Sequence, residues 1–198
     1  VIIKKDLIRK KINLFLIVFT ILILFILTAK NHDDFSYYHF PYIHLLTEYP
    51  NMIGLGNFNH GFRTHSSIFY LTTLFNLPFS NFYLFNLSPV FFMGFANIIL
   101  YKRISSYLDQ TKTTYLLYLS LFSLIFINIF FYRLGEHGTD RSAMILIFIL
   151  TIELLHLINQ KRNVDQSFFL RPVILITLII SLKAFYILYC LLFIPVIW

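Results

Sequence analysis

The sequence predicts an all-α fold: a polytopic transmembrane helix bundle of about five spans, with one or two interfacial helices in a long first loop. Three observations carry that prediction. Hydrophobic residues make up 58% of the 198 residues and charged residues only 13%, whereas soluble domains are about half apolar and a quarter charged. The mean hydropathy is +0.74. The apolar residues fall into long blocks rather than alternating or 3.6-residue stripes, and about 20 such residues cross about 30 Å of hydrocarbon as a helix.

The first block, 12–29, follows Lys4, Lys5, Arg9, Lys10 and Lys11. It is too long for the apolar region of a signal peptide, and no small-x-small cleavage site follows, so it is an uncleaved span. Further spans are expected at 82–101, 114–131, 142–159 and 173–195, with a long outer loop at 30–81. The whole is one transmembrane domain. The chain begins at Val1 and stops at Trp198 inside an apolar run, which reads as the N-terminal part of a longer protein.

Placing the N-terminus in the cytoplasm puts Lys102, Arg103, Lys112, Lys161, Arg162 and Arg171 on the same side as the basic start. Only Lys30, Arg63, Arg133 and Arg141 remain in outer loops. That asymmetry is the positive-inside pattern, here assigned to the inner (plasma) membrane. The segment 66–78 is apolar but too short to cross, and counting it as a span would reverse the charge pattern. It is expected to lie at the outer interface, started by Ser66 or Ser67 and stopped by Pro78.

Net charge is +7, yet the basic residues flank the apolar blocks. They read as topology signals and lipid-headgroup contacts, not as a nucleic-acid surface. The lone Cys190 allows no disulfide within the chain. All histidines except His156 fall on the outer side, but none has the i, i+4 spacing of a zinc site.

Three outer clusters carry the candidate chemistry. Asn31-His32-Asp33-Asp34-Phe35-Ser36-Tyr37-Tyr38 places two carboxylates directly after the first span. Such a pair suits a general base or a divalent-cation site at Asp33 and Asp34, with Mg or Mn as the cofactor. Its plainer reading is a helix N-cap for 37–49, kinked near Pro41. Arg133-Leu134-Gly135-Glu136-His137-Gly138-Thr139-Asp140-Arg141 forms a compact turn in which Arg133 and Arg141 could grip a phosphate, or Asp140 could simply cap the next helix. Gly54 to Ser67 is rich in Gly, Asn and His and contributes His60 and Arg63. Within the spans, Lys183 and Glu153 are costly in hydrocarbon. Each should face the bundle interior, Lys183 against a lipid-linked phosphate or an outer-loop acid, and Glu153 one turn from His156.

Taken together, Asp33-Asp34-Phe35, the Gly54 to Ser67 segment and Thr139-Asp140 resemble the glycosyltransferase C superfamily. The likeness is to protein mannosyltransferases that use dolichyl-phosphate mannose, bacterial family 39 enzymes and their uncharacterised bacterial relatives. That resemblance implies transfer of a sugar from a polyprenyl-phosphate donor to an acceptor hydroxyl at the outer face. Asp33, Asp34 and Asp140 would be the catalytic acids. Glu136, His137, Arg133, Arg141, Lys183, His60 and Arg63 would bind substrate. The implied partners are membrane lipid and the lipid-linked sugar. The superfamily's enzymes carry more spans than the five read here. A transporter or flippase of lipid-linked or anionic solutes, built on Lys183, Glu153 and His156, is the alternative function; a non-catalytic membrane scaffold is another.

Overall fold

The computed structural model describes residues 2–28, 30–49, 53–80, 82–109, 114–159 and 166–197. Lys112, Lys161 and Arg162, which the charge argument uses, lie outside these residues, as do the boundary positions Val1, Ala29, Asn81 and Trp198. The described residues form helices and no strand. In chain order they are α1 (Ile2–Thr28), α2 (Phe40–Glu48), α3 (Ser67–Thr73), α4 (Ser88–Asp109), α5 (Tyr115–Phe130), α6 (Thr139–Asn159), α7 (Gln166–Leu182) and α8 (Ile194–Ile197), with shorter 3₁₀ and π turns between them.

Three helical segments are long and apolar enough to cross a membrane: Ile8–Leu27, Phe82–Asp109 and Thr139–Asn159. The other two expected spans fall on helices that are apolar but shorter, Tyr115–Phe130, Phe169–Leu182 and Ala184–Val196.

The core is built by α4 and α6. The two helices pack on each other, and Val90, Met93, Ala96 and Leu100 of α4 and Ala143, Ile145, Ile149, Leu150 and Ile152 of α6 are all nearly inaccessible. α5 and α7 flank α6. Among the described residues α1 packs chiefly on α4, with Phe19 and Leu22 buried and Ile17, Leu24 and Leu27 exposed. From Leu14 to Leu27 the helix is apolar on every side, within a segment, Ile8–Leu27, that is long and apolar enough to cross a membrane. Gly94 makes the α1–α4 contact possible: a Cβ there would stand 2.7 Å from Cζ of Phe19. The ring of Phe19 then nests edge-on against Phe91 and Phe95.

α3 is shorter than the expected 66–78 helix. Ser66 caps it, its side chain accepting from the Ile68 N–H, and the helix ends at Thr73, before Pro78. It does not lie free at a surface. Ile68, Phe69 and Thr72 are buried, Thr72 hydrogen-bonds Ser88 at the start of α4 (2.5 Å), and Ser67 hydrogen-bonds Ser181 of α7 (2.9 Å).

The expected continuous helix over 173–195 is broken. α7 stops at Leu182, Lys183 is extended (φ −156°, ψ 116°), and Ala184–Phe193 continues as a 3₁₀ helix. A charged residue at mid-depth of a helix would need a partner there. The break instead delivers Lys183 to the bundle end where residues 30–49, 53–80 and 131–140 gather. That end is called the loop end below; the last turns of α4 and α6 and the first of α7 form the far end.

Candidate functional site

At the loop end lies a cavity of about 700 Å³ with Asp34, Arg63, Glu136, Asp140, Arg141 and Lys183 in its wall. Tyr38, His32, His39, His65, Thr64 and Thr139 complete the polar lining, and Met144, Leu182 and Phe131 supply apolar surface. Residues far apart in sequence are brought to it by four local devices.

The first is the entry to α2. Asp33 and Asp34 begin a helical turn that passes through a π stretch, Phe35–His39, in which the Phe40 N–H reaches back to the Phe35 carbonyl. Neither the capping expectation for Asp34 nor a single helix over 37–49 describes this segment. Asp34 makes no side-chain cap bond; instead Nδ1 of His32 accepts from the Asp34 N–H at 3.0 Å. His32 is itself held by its N–H to the Gly135 carbonyl (3.2 Å), and Asn31 accepts from Asn86 (2.6 Å). The acidic segment is thereby tied to the Arg133–Arg141 turn and to the approach to α4.

The second device is Pro41. It has no N–H for the carbonyl of Tyr37 four residues earlier. Asn59 fills the vacancy, its Nδ2 donating to that oxygen at 3.3 Å, while its Oδ1 accepts from the Gly61 N–H at 2.8 Å. Gly61 then lies so close to Tyr38 that a Cβ would sit 2.4 Å from the ring's Cγ. One asparagine and one glycine therefore dock the Gly/Asn/His loop on the π turn.

The third is Arg63. Its Nε donates to the Gly56 carbonyl at 2.9 Å, and its aliphatic stem lies against Gly56, where a Cβ would be 2.8 Å from Cγ. The guanidinium has five donors; one is used here and the arginine makes no ion pair among the described residues.

The fourth is the turn before α6. Glu136 pairs with Arg133 (2.5 Å) and with Arg141 (3.4 Å), so these two arginines are matched to an internal acid rather than held open. Asp140, in the first turn of α6, receives Lys183 at 2.6 Å and the Tyr186 hydroxyl at 3.2 Å. Lys183, extended just before the 3₁₀ helix, and Tyr186 in its first turn thus converge on one carboxylate.

Two histidines are held neutral. Burial pushes His39 down to about 4, with His32 adding to that and Asp34 and Asp140 opposing it; its Nε2 has no hydrogen-bond partner. Burial likewise pushes His137 down to about 4, opposed by its bond to the Phe131 carbonyl (2.7 Å) and reinforced by Arg141. That bond fixes the proton on Nε2 and leaves Nδ1 unpartnered. Burial, then the charge of Asp34, raises the Tyr38 hydroxyl above its ordinary value.

Of the residues singled out from sequence, Asp34, Arg63, Glu136, Asp140, Arg141 and Lys183 share the cavity. Asp33 and His60 are exposed and outside its wall, Arg133 is outside it on Glu136, and His137 is buried behind it. Tyr38 closes the acidic cluster singled out from sequence and His39 follows it directly, whereas Tyr186 belongs to the site and carries no sequence signal beyond a polar group inside an apolar run. Among the described residues no three His, Cys, Asp or Glu side chains converge as metal ligands.

Fold and site together define a helical protein with membrane-length apolar helices and a charged cavity at one end of the bundle. The chain belongs to the family described as domain of unknown function DUF8201, whose profile matches residues 2–198. No curated protein and no solved structure matches it significantly.

Proposed function

We propose that this chain is the donor-site portion of an integral membrane glycosyltransferase. It would take a polyprenyl-phosphate-linked sugar and transfer the sugar to an acceptor hydroxyl, with inversion. The observation that supports this most is the charge pairing in the cavity. Glu136 is matched by Arg133 and Arg141, and Asp140 by Lys183. That leaves one carboxylate and one guanidinium, Asp34 and Arg63, without a Lys, Arg, Asp or Glu partner among the described residues on the same cavity wall. The ion contact of Asp34 is with His32, whose Nδ1 lies 3.5 Å from the carboxylate and also accepts the Asp34 N–H.

A base and a phosphate-binding cation are what this chemistry needs. Asp34 takes the proton of the acceptor hydroxyl, and the oxygen attacks the anomeric carbon. The bond from that carbon to the phosphate oxygen breaks, and its electrons leave with the polyprenyl phosphate. Arg63 and the Lys183 ammonium offset the charge that develops on the departing phosphate. Asp140 is a positioning group for Lys183, and Asp33 is dispensable. In this reading the loop end faces outward from a plasma membrane, the N-terminus lies in the cytoplasm, the fold is multi-pass, and the polyprenyl tail lies along the exposed apolar helices.

The test is transfer from a polyprenyl-phosphate sugar by membranes carrying the whole reading frame. Asp34→Asn should lower turnover at least about 100-fold, with Asp33→Asn close to wild type. Equal activity of both variants would remove the reading.

A further inference from the structure

A second charged cavity opens at the far end, independent of the chemistry above. It has a volume of about 540 Å³ and is lined by Lys102, Arg103, Tyr107, Glu153, His156 and Arg171, together with Ile99 and Ser106. Asp140 and Glu153 lie 13 residues apart on one helix, a rise of ~20 Å, so the two cavities are remote from each other.

We infer that this cavity binds a phosphate anion, and that its occupant is the headgroup of an anionic phospholipid. Among the described residues that line it are three Lys or Arg side chains and one acid. Arg103 donates from one terminal nitrogen to Glu153, and both side chains are largely buried, at 14% and 12% exposed. The other terminal nitrogen of Arg103 is buried with no partner. An unmade bond on a charged donor is unfavourable, and an anionic oxygen in the cavity would relieve it. Lys102 and Arg171 are exposed at the rim and make no ion pair among the described residues. The lipid source follows from what adjoins the cavity. Phe95 and Ile99 on α4 and Ile174 and Leu178 on α7 are exposed apolar residues reaching from the rim toward the loop end, where acyl chains would lie. Basic pockets between helices at one membrane face are the usual receptors for anionic headgroups.

The probe is native mass spectrometry of the full chain released from nanodiscs. One set contains phosphatidylcholine alone, the other phosphatidylcholine with phosphatidylglycerol. The wild type should retain phosphatidylglycerol selectively, and Lys102→Gln/Arg171→Gln should reduce retention about thirtyfold. That pair touches neither Glu153 nor the core, so folding is preserved and is checked by circular dichroism. Glu153→Gln, which removes the opposing charge, should increase retention. A parallel titration with inorganic phosphate separates the sources: saturable binding lost in the double variant, without lipid selectivity, would keep the anion site and assign it to soluble phosphate. No selectivity and no phosphate binding, or retention unchanged in the double variant, would overturn the inference. Activity at Asp34 does not enter any of these outcomes.

Discussion

The two ends of α6 solve the same problem in opposite ways. Near its start Asp140 meets Lys183; near its end Glu153 meets Arg103. The first pair is close to half exposed, at 45% and 40%, and is assembled by a turn and a helix break. The second is nearly closed and joins two regular helices. A wet pair holds loosely and exchanges partners readily, because solvent screens its attraction and repays its separation. A closed pair is hard to break, since removing one member strands a charge. The loop end is thereby suited to chemistry and the far end to holding helices at a fixed distance.

The sharpest way to break this contrast is at the closed pair. Glu153→Ala should cost about 3 kcal/mol of stability, seen as a lower thermal midpoint in detergent, whereas the conservative Glu153→Gln should lose much less. Acidification comes next. His39 and His137 are neutral in the fold, both at about 4, and near 6.5 when unfolded. The unfolded chain therefore binds more protons between those values. Stability should be full above pH 6.5 and fall as pH drops toward 4, by on the order of 2 kcal/mol for each histidine at pH 5. His39→Gln should flatten that slope in a pH series of unfolding curves. Gly61→Ala follows, at about 2 kcal/mol, because the added methyl meets the root of the Tyr38 side chain, which cannot swing aside. The smallest effect belongs to the open pair. Asp140→Asn should change stability by less than about 1 kcal/mol, while transfer activity falls if Lys183 loses its position.

What the sequence reveals divides along the same line. The helices at the far end are legible because each is a continuous apolar block with charges at its edges, and α4 and α6 fall where the blocks do. Lys183 is different. No glycine or proline marks the break before it, so 173–195 reads as one helix, and only the demand for a partner to its ammonium hints otherwise. The acidic pair is half legible. Its presence at the start of the loop is plain, but which carboxylate faces the cavity depends on the π turn, whose extra residue per turn rotates Asp34 and not Asp33 into the wall. The segment 66–78 reads as interfacial because it is short and apolar. Its contacts to Ser88 and Ser181 are long-range and leave no local trace. His60 and Arg63 look equivalent in sequence, and the bond from Arg63 to the Gly56 carbonyl separates them.

The docking of the Gly54 to Ser67 loop rests on a single carboxamide. Asn59 receives a proton bond through its oxygen and gives one through its nitrogen. Aspartate in its place is the same shape and retains the receiving half, but it turns a second lone-pair oxygen toward the Tyr37 carbonyl. A change of one atom would therefore leave the turn at His60 intact while unlatching it from the proline-broken helix. The cavity would lose the alignment of Tyr38 and Arg63 without losing any residue that lines it.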